Sequence, residues 1–199
     1  MKTLYFTLVA LAAFSSLKAQ DFSKNLAIAK TSYSAGKLEE SRFAMQQMLQ
    51  ELDMIAGKEV LKALPAKLEN LNANTSSDNV SGASGFAGVV IHRDYGTADK
   101  KAEIEIISNS PIISSINTIL SLPFVGAASG GDQKVVKIDG YKALIQRHKS
   151  SEDNSKVTYD VQIPLGSSLF TLKSETATEE EISKFTKSIP VAQIAKLLQ

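Results

Sequence analysis

The sequence predicts an α+β fold in which an N-terminal αα-hairpin precedes an antiparallel six-stranded sheet with helices packed on it. Three observations carry this expectation. Apolar residues recur at three- and four-residue steps in stretches between Phe22 and Leu68, the period of a helix face. After Phe86 the period drops to two, most cleanly in Glu103-Ile104-Glu105-Ile106, the alternation of a half-buried strand. Asp139-Gly140 stands between two such runs, a dipeptide suited to the tight turn that joins antiparallel strands.

The elements follow in chain order. Residues 1–19 read as a signal peptide: Lys2, an apolar run from Leu4 to Phe14, then small and polar residues up to a cut near Ala19. The run is about a dozen residues, short of the ~20 that cross a bilayer as a helix, and no second run of spanning length follows. The expectation is export, to the bacterial periplasm, with no stable membrane span. The chain contains no cysteine, which excludes lipoprotein-type lipidation, a disulfide framework and thiol catalysis. An exported protein without disulfides takes its stability from a packed core, and that fits a bacterial envelope better than an animal secretory pathway.

Residues 20–71 read as a helical hairpin arm. Phe22, Leu26, Ala29 and Tyr33 share one helix face, and Gly36 stands where a left-handed C′ residue ends a helix. A second pattern runs through Leu38, Met45, Leu49, Leu52 and Ile55 towards Leu64. Pro65 disfavours helical geometry at the residue before it, so this helix ends or kinks near Leu64. Residues 72–85 are Asn, Ser, Thr, Gly and Ala with little else, and read as a flexible linker.

Residues 86–199 read as the sheet domain. Its six strands are Phe86–Tyr95, Lys101–Ile107, Lys134–Ile138, Tyr141–His148, Lys156–Ile163 and Ser168–Lys173. Pro111 and Pro123 bracket a helix, Ile112–Leu122, and a Gly-rich loop, 126–131, leads into the third strand. Glu152-Asp153-Asn154 supplies a looser hairpin loop. Thr178-Glu179-Glu180-Glu181 has the form of a capping box that starts a helix, and Pro190 opens a last amphipathic one. The order is β-β-α-β-β-β-β-α-α.

Two resemblances follow from particular residues. Tyr33-Ser34-Ala35-Gly36-Lys37-Leu38-Glu39-Glu40-Ser41 resembles the turn of a tetratricopeptide-type hairpin, over one repeat and without a second copy at the ~34-residue period of such arrays. It implies an arm that packs on the rest of the protein or on a partner. The succession Gly140-Tyr141-Lys142-Ala143, Tyr159-Asp160-Val161-Gln162-Ile163-Pro164-Leu165, Phe170-Thr171-Leu172, and Phe185 with Ser188-Ile189-Pro190 resembles the PsbP-like fold, over roughly residues 86–190. That resemblance implies an adaptor or assembly factor with no shared catalytic residue.

Composition excludes several classes. The net charge of +1 becomes −1 once Lys2 and Lys18 leave with the signal peptide, so no basic field attracts nucleic acid. His92-Arg93-Asp94 matches the start of a kinase catalytic loop, but the Leu and Asn that complete it are missing. No Gly-x-Ser-x-Gly elbow occurs, and the loop 126–131 enters a strand without the Lys-Ser/Thr ending of a phosphate loop. The remaining candidates for chemistry are His92 and Asp94 on one strand face and His148 on another strand. Were those strands adjacent, two imidazoles and a carboxylate would suit zinc. The expected function is that of a non-catalytic soluble accessory or adaptor protein with an envelope protein partner and no cofactor. The alternatives are a carrier of a small apolar or lipid-like ligand and, behind it, a metal-dependent hydrolase using His92, Asp94 and His148.

Overall fold

The computed structural model describes residues 21–82, 88–122, 131–149 and 157–199. Residues 1–19, read as a signal peptide, most of the expected 126–131 loop and the expected 152–154 hairpin loop lie outside the described residues. The chain divides into two compact units, Met1–Leu52 and Asp53–Gln199. The division falls inside the second helix and not at the expected linker.

In the first unit, helix α1 spans residues 21–34 and is followed by the N-terminal half of α2, Leu38–Ala63. The turn between them is a full Schellman motif. Lys37 N–H donates to the Ser32 carbonyl at 2.9 Å and Gly36 N–H to that of Tyr33 at 3.0 Å, with Gly36 at φ +75°. Small residues line the seam of this hairpin: Ala29, Ser32, Ser41 and Ala44 are buried, and Ser41 Oγ donates to the Ala29 carbonyl at 2.9 Å. The large apolar residues that set its helical period point elsewhere. Leu26, Tyr33, Leu38 and Leu49 are all more than half exposed, and so is Phe43, which stands outside that period.

Among the described residues, the second unit is built on one antiparallel sheet of eight strands, not six. The strands are β1 (Lys67–Leu68), β2 (Leu71–Gly82), β3 (Val89–Thr97), β4 (Lys100–Ile107), β5 (Gln133–Ile138), β6 (Tyr141–Lys149), β7 (Val157–Leu165) and β8 (Ser168–Ser174). They lie in the order β1-β2-β3-β4-β8-β7-β6-β5. Both additional strands come from residues 67–82, so the segment read as a linker is a strand for most of its length. β2 pairs with β3 from Ala73↔Tyr95 to Gly82↔Val89, and its register shifts between Asn74 and Asn79. A composition poor in strand formers is extended here because the edge of β3 supplies its hydrogen-bond partners.

From β3 onward the described elements follow the predicted order. Helix α3 is Ile113–Ser121, α4 is Glu179–Lys187 and α5 is Val191–Leu197. The Thr178–Glu181 capping box is present in both directions, with Glu181 N–H to Thr178 Oγ1 at 3.3 Å and Thr178 N–H to Glu181 Oε2 at 3.0 Å. Asp139 and Gly140 both have positive φ, +47° and +87°, the geometry of the type I′ turn that their sequence predicts.

One sheet face carries Ile91, Ile104, Phe170, Leu172, Val161 and Ile163, which form a single buried core with Val60 and Leu64 of α2, Ile182 and Phe185 of α4, and Val191 and Ile194 of α5. The other face carries a smaller cluster in which Ile116 and Leu120 of α3 meet Leu144 and Leu169. At Gly57 α2 lies close against the strands: a Cβ there would stand 2.7 Å from Val80 Cγ1 and 3.1 Å from Ile91 Cγ1.

Candidate functional site

Alternation along β3 places Val90, His92 and Asp94 on the face away from the main core, as the sequence predicts, and Ile91, Arg93 and Tyr95 towards it. His92 Nε2 lies 3.4 Å from Asp94 Oδ1, and Lys101 Nζ lies 3.1 Å from the same oxygen. Burial raises the Asp94 carboxyl, but hydrogen bonds from Lys101, Ser77 and His92 outweigh it and hold the group below its ordinary value. Lys101 is raised in turn, chiefly by its hydrogen bond to Asp94. Lys101 and Lys173 then both approach Glu103, at 3.8 and 4.0 Å. The result is a ladder of alternating charges across β3, β4 and β8.

His148 does not join it. It lies on β6, separated from β3 by β4, β8 and β7, or roughly 19 Å at about 4.8 Å per strand. Its Nε2 is 3.2 Å from Asp160 Oδ2 on β7. The expected juxtaposition of His92, Asp94 and His148 is therefore not formed: two strands that both carry a histidine are not neighbours, and each imidazole pairs with its own aspartate. Among the described residues no group of three or more His, Asp or Glu is placed to hold a metal ion.

On the core side, Arg93 is an inward-facing cation. Its Nε donates to Asp78 Oδ1 at 2.7 Å, its Nη2 to Asp78 Oδ2 at 2.5 Å, and its Nη1 to the Leu64 carbonyl at 3.3 Å. The hydrogen bond to Asp78 raises the guanidinium, against the lowering effect of burial. Tyr95 OH donates to the Pro65 carbonyl at 2.9 Å, and burial pushes its phenol up to about 12. Together Arg93 and Tyr95 take the carbonyls left at the end of α2, where Pro65 stops the helix. This arrangement is a structural clamp: the groups satisfy one another and face the interior.

A recess forms at the other end of the sheet. β5, the outermost strand, and α4 enclose an open cleft of about 520 Å³. Val136, Ile138, Ile145 and Ile189 form its apolar floor, with Lys134 and Glu179 at one end and Asp139 and Lys187 towards the other. Lys134 Nζ is 3.3 Å from Glu179 Oε1, and Asp139 Oδ2 accepts from the Ala192 N–H at 2.7 Å. Nothing in the sequence marked this cleft, because it depends on where an edge strand and a distant helix meet. The Arg93–Asp78 pair did leave a signal: an arginine in phase with Ile91 and Tyr95 requires a carboxylate from elsewhere in the chain.

Comparison with protein-family models, with curated protein sequences and with solved structures finds no match to this chain.

Proposed function

We propose that this protein is a non-catalytic accessory or adaptor protein of the bacterial envelope that acts by binding a protein partner. The carrying observation is the position of its exposed apolar side chains. Of the eleven large hydrophobic residues exposed among the described residues, nine lie between Leu26 and Ile55, and only Ile112 and Leu122 lie elsewhere. Scattered exposed apolar residues need no explanation, but a concentration of them on one pair of helices marks an interaction surface. Phe43 and Leu49 are 64% and 61% exposed, and large side chains of this kind serve as binding anchors once a partner removes them from water.

The leader-like residues 1–19 support export. The resemblance of residues 86–190 to PsbP-like proteins agrees with an assembly or adaptor role, and that of residues 33–41 to a tetratricopeptide-type turn agrees with a helical arm presented to a partner. The separation of His92 from His148 weighs against the hydrolase alternative.

The test is affinity purification of the full-length protein from crosslinked envelope of its host, alongside a Phe43→Asp/Leu49→Asp double variant. The expected result is a defined partner recovered with the wild type and lost with the variant, both proteins having the same circular dichroism. Recovery of the wild type alone would count against the reading, and so would equal recovery of a partner by both proteins.

A further inference from the structure

The cleft between β5 and α4 has a property that an ordinary surface recess lacks: one of its walls is the edge of a strand. Val136, Lys137, Ile138 and Asp139 all line it. Along a strand only every second side chain faces a given side, so three consecutive lining residues within β5, Val136 to Ile138, mean that the backbone edge itself forms part of the wall. Among the described residues, β5 is the last strand in the order and pairs only with β6. Its outer N–H and C=O groups are therefore directed at the position a further strand would occupy.

The chemistry of β5 selects what that strand would be. Its sequence is Gln133-Lys134-Val135-Val136-Lys137-Ile138, with two cations and no acid. A second copy of the chain is the simplest occupant, but antiparallel self-pairing lines up four cations and no acid: centred on Val135 or on Val136 it sets Lys134 or Lys137 diagonally beside its own copy, within reach of these long side chains, and supplies a carboxylate to neither. Towards the Asp139 end of the cleft, the exposed Lys187 adds a further cation, and among the described residues neither it nor Lys137 has a carboxylate within ion-pair distance. The two acids that line the cleft are already engaged, Glu179 with Lys134 and Asp139 with the Ala192 N–H.

We infer that β5 and α4 form a docking groove for an extended, acidic segment of a partner protein, which adds to the sheet as a ninth strand. Main-chain hydrogen bonds to the β5 edge supply affinity, and an apolar side chain on Val136 and Ile138 supplies contact area. Carboxylates facing Lys134, Lys137 and Lys187 supply direction and selectivity. This inference rests on the reading of the chain as a partner-binding protein, but not on the helical hairpin.

The direct trial uses two fluorescent peptides and the full-length protein in fluorescence anisotropy. The first has Thr-Glu-Val-Val-Glu-Thr at its centre, the antiparallel complement of β5, and the second replaces both Glu residues by Lys. The expected result is that the acidic peptide binds at least about tenfold more tightly, the sum of several modest cross-strand charge terms. A Lys134→Glu/Lys137→Glu variant, which changes two exposed side chains, should reverse the preference. N-methylation of alternate amides along the edge facing β5 should abolish binding to the wild type, a control that needs no variant. Failure of the acidic peptide to bind, equal binding of both peptides, or indifference to N-methylation would each overturn the groove. A crosslinked envelope partner retained by a protein that binds neither peptide would overturn the groove and leave the accessory reading in place. Peptide binding with no such partner would do the opposite.

Discussion

The helical hairpin and the sheet unit use apolar residues in opposite ways. In the sheet unit the large side chains are inside: Phe170, Phe185, Ile104 and Leu172 have no accessible surface. In the hairpin the interior is a seam of Ala29, Ser32, Ser41 and Ala44, while Phe43, Tyr33, Leu38 and Leu49 face outward. Both segments show apolar periodicity in the sequence. The difference teaches that periodicity reveals which residues share a face and says nothing of what that face meets. A seam of small residues lets two helices approach closely but removes little apolar area from water, so the hairpin's large side chains contribute little to its own folding.

That contrast is most easily broken by paired truncations. Phe185→Ala should destabilise the sheet unit by about 3–5 kcal/mol, the cost of a cavity in a filled core, whereas Phe43→Ala should stay within about 0.5 kcal/mol. Urea unfolding of both variants reads this directly. A large loss from Phe43→Ala would show that the hairpin residue is part of a core after all.

The polar strand β2 comes next. Asp78→Ala should cost about 3 kcal/mol, because Arg93 keeps its buried position and loses its carboxylate. If 72–85 were a linker, the same substitution would be neutral in urea unfolding.

A smaller effect is expected at Gly57. Replacing glycine by alanine in a helix interior ordinarily stabilises by about 1 kcal/mol. Here the new Cβ meets Val80 and Ile91, and overpacking costs about 1–3 kcal/mol, so Gly57→Ala should come out destabilising by about 1 kcal/mol. A gain in the unfolding midpoint would mean that α2 does not lie this close to β2 and β3.

The smallest effect belongs to the charge ladder. The Asp94 carboxyl titrates below its ordinary value of 3.8 when folded, so its contribution is complete above that value and is lost as pH falls through the lower folded one. Asp94→Asn should flatten the decline in stability as pH falls below that ordinary value, measured as urea midpoints through the acid range. An unchanged slope would remove the ladder from the account.

How much of this was legible follows from where each signal resides. The Gly36 cap, the Pro65 stop, the Thr178–Glu181 box and the Asp139-Gly140 turn are local devices, and each appears where its residues predict. The alternation of β3, β4 and β7 is likewise local. β2 was illegible because its strand state is imposed by β3, and Asn74, Ser76, Ser77 and Asn79 carry no preference for it. The separation of His92 from His148 was illegible for a related reason: strand order is a property of the whole sheet, and placing β8 and β7 between them leaves no mark on either histidine. The β5–α4 cleft, made by segments some 45 residues apart as Lys134 and Glu179 are, belongs to the same class.

The proposed function requires that the hairpin's exposed apolar side chains be covered by another protein. A photo-crosslinking amino acid placed at Phe43, and in a second strain at the exposed Thr118 of α3, tests it in the living host. One discrete higher-mass adduct is expected from position 43 and none from position 118. No adduct from position 43, or the same adducts from both positions, would contradict it.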